Sequence, residues 1–177
     1  MGKIRMATSW LDGCSGCHMS LLDMDEQLID IVGKVDIVYG PLVDAKVIPE
    51  GIDVVLVEGA VSTDADVEKL RLLRERSAIL VSLGDCAVTA NVPGMRNRFP
   101  LAEVLKRGYE ENAPLNAQIP REDLPHLLDK ARPLHEFVPV DVFLPGCPPP
   151  ADAIVYMLQE LLAGRIPDLS NKSRFGA

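Results

Sequence analysis

Four cysteines are the residues of this chain best suited to chemistry. Cys14 and Cys17 form a C-x2-C pair within "WLDGCSGCHMSLLDMDEQL", Cys86 stands in "SLGDCAV", and Cys147 stands in "FLPGCPPP". A C-x2-C pair suits a redox dithiol, half of a zinc site, or part of an iron–sulfur site. A structural four-cysteine zinc site usually uses two such pairs, and only one is present. A dithiol needs no third or fourth cysteine. A Cys-Pro step, as at Cys147-Pro148, is familiar from cluster ligands. Gly13, Gly16, Gly84 and Gly146 suit loops that bend close to a bulky inorganic core and offer it N–H groups.

The elements that must position these thiols can be read from hydropathy. Residues 4–9, 35–39, 53–57, 78–83 and 140–144 read as strands, rich in Val, Ile and Leu. The third and fourth barely alternate, as expected for strands covered on both faces of a parallel sheet. Helical spacing spans residues 16–32. Thr63 and Asp66 have the form of a capping box opening a helix to about residue 76. A last helix, residues 151–163, follows "PPP" and stops at Gly164 and Pro167. Strand–helix alternation predicts an α/β fold, most simply a flavodoxin-like, doubly wound parallel sheet of five strands. One domain over residues 1–177 is expected, with a long, partly helical insertion at 88–138 that carries function or docks a partner. Cys14 and Cys17 follow strand one, Cys86 strand four and Cys147 strand five. All then lie on the carboxyl edge, where such sheets bind ligands. The predicted helix starts after Cys14 and Cys147 favour an anionic group there.

Composition narrows the function. A chain of 177 residues can bury a sizeable core. The net charge of −8 argues against a nucleic-acid partner. No apolar run approaches transmembrane length, and the start has no signal-peptide pattern, so a cytoplasmic location is expected. In that compartment reduced, ligating thiols are favoured over disulfides. No G-x-G-x-x-G is present, which argues against nicotinamide binding within the chain. No nucleophile–base set stands out.

"SWLDGCSGCHMSLL", "VEGAVS", "SLGDCA" and "LPGCPPP" together resemble the small subunit of [NiFe] hydrogenases, over nearly the whole chain. The resemblance implies that Cys14, Cys17, Cys86 and Cys147 hold one proximal [4Fe-4S] cluster. It puts Glu58 and Gly59 at the carboxyl edge facing a large subunit, and Trp10 at an apolar position leading into the first cluster loop. The NiFe(CN)2CO site would lie in that partner. Two departures stand out. Met19 replaces the glutamate usual two residues after the pair, and His18, His126 and His135 cannot build a further cluster. One cluster, short length and no signal most resemble the small subunit of soluble NAD-reducing (bidirectional) hydrogenases. There the dimer docks a diaphorase dimer carrying FMN and Fe–S centres, giving a cytoplasmic heterotetramer. The quinone-site cluster subunit of complex I has two adjacent cysteines, whereas Ser15 and Gly16 separate the pair here.

Other polar groups have plainer readings. His18 reads as a surface histidine and Asp85 as a solvated loop acid that lowers a cluster's potential only if it points inward. Arg96, Arg98, Lys106 and Arg107 form a basic group that reads as a solvated face. Such a group could also dock an acidic partner or hold the phosphate of FMN at a flavodoxin-like edge. A zinc-stabilised interaction module and a flavin protein with a thiol switch are the alternatives to the relay subunit.

Overall fold

The computed structural model describes residues 2–176. Its centre is a five-stranded parallel sheet of β1 (Ile4–Trp10), β2 (Val35–Tyr39), β3 (Ile52–Glu58), β5 (Ser77–Leu83) and β7 (Val142–Leu144), in the order β2-β1-β3-β5-β7. All four pairings are parallel. The fold is thus the doubly wound α/β sheet read from the sequence. The helices are α1 (Gly16–Leu22), α2 (Gln27–Val32), α3 (Asp64–Arg76), α4 (Gly84–Thr89), α5 (Leu101–Lys106) and α6 (Ala151–Leu162). After β1 the chain moves to one side for β2 and returns to the other for β3. The β1–β3 boundary is therefore the switch point at which such sheets leave a crevice.

Alternate residues of the central strands feed two cores. Val54 and Leu56 pack with Leu21, Met24, Ile154, Met157 and Leu158 on one face. Val55 and Val57 pack with Leu70, Leu73, Ala87 and Leu134 on the other. Both faces are dry, which is why the strands read as continuous apolar runs. The Thr63/Asp66 capping box forms in full.

One expectation needs correction. The single helix over 16–32 is broken into α1 and α2 by a turn at residues 23–26, with Asp25 at φ 50°. Asp23, Asp25 and Glu26 would crowd the negative end of α1, and Met24 turns into the core at 2% exposure. The 88–138 segment is partly helical. It includes a 3-10 turn (Pro93–Arg98), α5, a π turn (Arg107–Glu111) and most of a second sheet. There β6 (Leu127–Arg132) pairs antiparallel with β4 (Val61–Thr63). Asn97 holds β6 by donating to Ala131 O and accepting from Ala131 N, both at 2.8 Å.

Candidate metal centre

The structure brings all four cysteines to the carboxyl edge. Cys14 lies in the loop after β1, Cys17 in the first turn of α1, Cys86 in the first turn of α4, and Cys147 in the loop between β7 and α6. All are free thiols. Cys14 and Cys147 are exposed, while Cys17 and Cys86 are half-buried. Burial pushes the Cys17 thiol far above the ordinary range, and Glu58, Cys86, Cys14 and Cys147 push it the same way. Cys86 is raised as well, first by burial. A backbone hydrogen bond from Val92 opposes the rise, and Cys147, Cys14 and Asp85 add to it.

These shifts weigh against a dithiol, whose attacking sulfur needs a lowered pKa. A cation reverses the balance, because a coordinating thiol is deprotonated outright. Among the described residues no three His, Cys, Asp or Glu side chains converge on a point for a single metal ion. Four thiols at one edge are a donor set of the kind that soft metal ions and iron–sulfur cores take.

Glycines at this edge make room for the thiols themselves and for the turn that carries Cys147. A Cβ on Gly84, at φ 82°, would stand 2.2 Å from Cys17 Sγ, and one on Gly16 would stand 3.2 Å from Cys14 Sγ. Gly146, at φ 137°, leaves 2.5 Å between its own Cβ direction and Pro149 Cα. The Cys147–Pro148 peptide is cis. Asn91 Nδ2 lies 3.6 Å from Cys147 Sγ and donates toward it. Donors to sulfur are one of the means by which a protein tunes a cluster. Nothing in the sequence singles out Asn91 except its place just past the left-handed residue Ala90 that ends α4.

Polar ties fix the loops to one another. Asp12 and Ala60 exchange backbone hydrogen bonds of 3.0 and 2.7 Å, and the Asp12 carboxylate accepts from Ser62 Oγ. The Cys14 loop is thereby joined to the end of β3. Ser20 Oγ donates to Pro149 O across 2.5 Å, joining α1 to the Cys147 loop. Glu58 Oε2 accepts from His18 N at 2.8 Å and lies 2.9 Å from His18 Nδ1.

Several polar residues differ from their expected settings. His18 is not a surface residue: it is 3% exposed, its ring packs edge-on to Trp10 at 5.6 Å, and Nε2 has no protein partner. Glu58, 2% exposed, turns its carboxylate inward onto His18 rather than outward toward a partner. Asp85 is buried, not solvated, and its carboxylate accepts from backbone N–H groups. Met19 points outward, exposed, and Gly59 packs its backbone on the Leu11–Asp12 peptide. His126 and His135 are exposed and outside this cluster; His135 stacks on Phe143. Most of the basic group is already engaged. Arg96 donates to Leu128 O and Asp129 O, while Lys106 and Arg107 pair with Glu111.

Comparisons with known proteins place the chain in a family. A family profile described as "NADH ubiquinone oxidoreductase, 20 Kd subunit" matches residues 14–161, and the chain belongs to that family of α/β oxidoreductase subunits. Within it the chain goes with the small subunits of NAD-reducing [NiFe] hydrogenases. It is 44% identical over 173 residues to the NAD-reducing hydrogenase HoxS subunit delta of Cupriavidus necator, covering 95% of this chain and 83% of that one. An NAD+-reducing [NiFe]-hydrogenase crystallised in the H2-reduced state matches at TM-score 0.94 and 38% identity, covering 98% of this chain and 99% of that chain. One subunit of the F420-non-reducing hydrogenase of Methanocaldococcus jannaschii is 38% identical, covering 96% of this chain but only 59% of its own length. The cysteine spacing separates this chain from the complex I pattern, yet the shared profile makes that subunit a relative. Among the described residues no helix is long and apolar enough to cross a membrane.

Proposed function

We propose that this chain is the electron-relay small subunit of a cytoplasmic [NiFe] hydrogenase, working between the NiFe site of a large subunit and an NAD-linked diaphorase. The observation that carries the reading is the meeting of all four thiols at the carboxyl edge. Cys14, Cys17, Cys86 and Cys147 would hold one [4Fe-4S] cluster. Such a group supplies one-electron exchange, at a potential set by burial, charge and hydrogen bonds to sulfur.

The chain's own residues do the holding. Cys17 and Cys86 sit on short helices against the sheet, so burial fixes their positions. The Cys14 loop is tied to the Ala60 turn by Asp12, and the Cys147 loop to α1 and α4 by Ser20 and Asp85. The buried Glu58–His18 pair holds the start of α1, and with it Cys17, against the end of β3. Asn91 offers an N–H to Cys147. Dihydrogen activation belongs to the large subunit, and NAD and flavin chemistry to the diaphorase.

The test is anaerobic purification of the chain with its co-purifying partners. The expected result is a brown complex whose iron and inorganic sulfide exceed the partners' own content by four each per copy of this chain, and one spin-resonance signal from the chain on reduction by dihydrogen. Iron-free protein, one zinc per chain, or two clusters in this subunit would each overturn the reading.

A further inference from the structure

The Cys86 and Cys147 loops are 61 residues apart in sequence, yet one side chain binds them together. Asp85 Oδ1 accepts from Gly146 N at 2.6 Å, and Asp85 N donates to Gly146 O at 2.8 Å. The neighbours of two thiols are thus locked face to face. Asp85 Oδ2 accepts from Gly176 N at 2.7 Å. The segment carrying Gly176 is anchored at three further points. Leu169 packs on the α6-side core, Lys172 lies 4.5 Å over the Tyr156 ring, and Ser173 Oγ donates to Pro145 O. The segment therefore crosses the Cys147 loop as a strap, held at its far end by the residue that spaces the two thiols. Asp85 is 4% exposed.

We propose that Asp85 is a positioning residue that sets the Cys86–Cys147 spacing and, by seating the 173–176 strap against Pro145, fixes the loop that carries Cys147. This rests on reading the four thiols as a cluster cradle. The chemistry of the clamp is specific. Both partners of the carboxylate are N–H donors, so it needs two acceptor oxygens. An asparagine keeps one oxygen and turns an NH2 on the other donor, so one of the two links must break. Alanine breaks both and leaves two buried N–H groups without partners.

The test uses the complex purified anaerobically, with wild type, Asp85→Asn, Asp85→Ala and Ser173→Ala compared. In Asp85→Asn, bleaching of cluster absorbance in air is expected to run about tenfold faster, and the midpoint potential to rise as the carboxylate is lost. Ser173→Ala, which loosens only the strap, is expected to leave the potential unchanged and to raise amide exchange at residues 173–176 alone. Asp85→Asn with wild-type bleaching and potential would overturn the proposal. If that variant takes up no iron, amide hydrogen exchange decides. A gain confined to residues 145–148 and 173–176 supports the clamp, whereas a gain spread through β5 and α6 means general misfolding and overturns it. A wild-type complex without iron would sink the relay reading, and this inference with it; iron-loaded wild type beside an indifferent Asp85→Asn sinks the inference alone.

Discussion

Gly84 and Gly108 lie in two regions that make opposite demands on the backbone. Gly84 opens α4 at φ 82°, and an added Cβ would meet Cys17 Sγ at 2.2 Å. Gly108 lies in the π turn of the insertion, where an added Cβ meets nothing within 4 Å. The same contrast runs through the polar groups. At the thiol rim Glu58, His18 and Asp85 are buried and tied to backbone from distant parts of the chain. In the insertion Lys106, Arg107 and Glu111 pair locally on an exposed surface. The rim is over-determined and the insertion is permissive. A rim proposed to hold four sulfurs around one core has little freedom in spacing, whereas a covering segment needs only to pack on one side.

The sharpest break of this contrast is Gly84→Ala. Left-handed strain and the forced displacement of Cys17 together cost about 3 kcal/mol or more. Urea unfolding should show that loss, and iron analysis of the anaerobic complex should show a failure to load.

Next in size is Glu58→Ala, which strips the buried His18 N–H of its acceptor at a cost of about 2 kcal/mol. Trp10 is the only tryptophan and packs on His18, so its fluorescence reads this one spot. Glu58→Gln keeps an acceptor for His18 N and should lose less than half as much. Equal losses in the two variants would mean that shape, not hydrogen bonding, matters there.

A third prediction concerns pH in the metal-free chain. Cys17 and Cys86 hold their protons more tightly folded than unfolded. Their contribution is therefore complete below the ordinary thiol value of 9.0 and is lost as pH rises past it, because the unfolded chain releases protons the folded chain keeps. The urea midpoint should fall between pH 8.5 and 10.5, roughly the span around that value, and Cys17→Ala should flatten the fall. A midpoint that rises with pH would show that the rim thiols are not shifted upward.

The smallest effect is expected at the permissive pole. Gly108→Ala should stabilise the chain by up to about 1 kcal/mol, the helical preference for alanine over glycine. A loss comparable to that of Gly84→Ala would erase the contrast.

What the sequence determined by itself was the sheet and the place of its cysteines. Strands buried on both faces must be apolar almost throughout, so residues 53–57 and 78–83 could be read without a partner in view. Parallel strands all end on one edge, so thiols that follow strands must meet there. The capping box was legible because its donor and acceptor lie three residues apart. Only the tertiary structure decided which acids and histidines are buried, where 16–32 breaks, and that β6 exists. Glu58 meets His18 at a separation of 40 residues, and Asp85 meets Gly146 and Gly176 at 61 and 91. Strand β6 is largely exposed, and it takes its register from β4 and Asn97. Such contacts leave no periodicity in the chain. A carboxylate that will be buried against backbone N–H groups looks, in sequence, like any solvated loop acid until the fold supplies its donors.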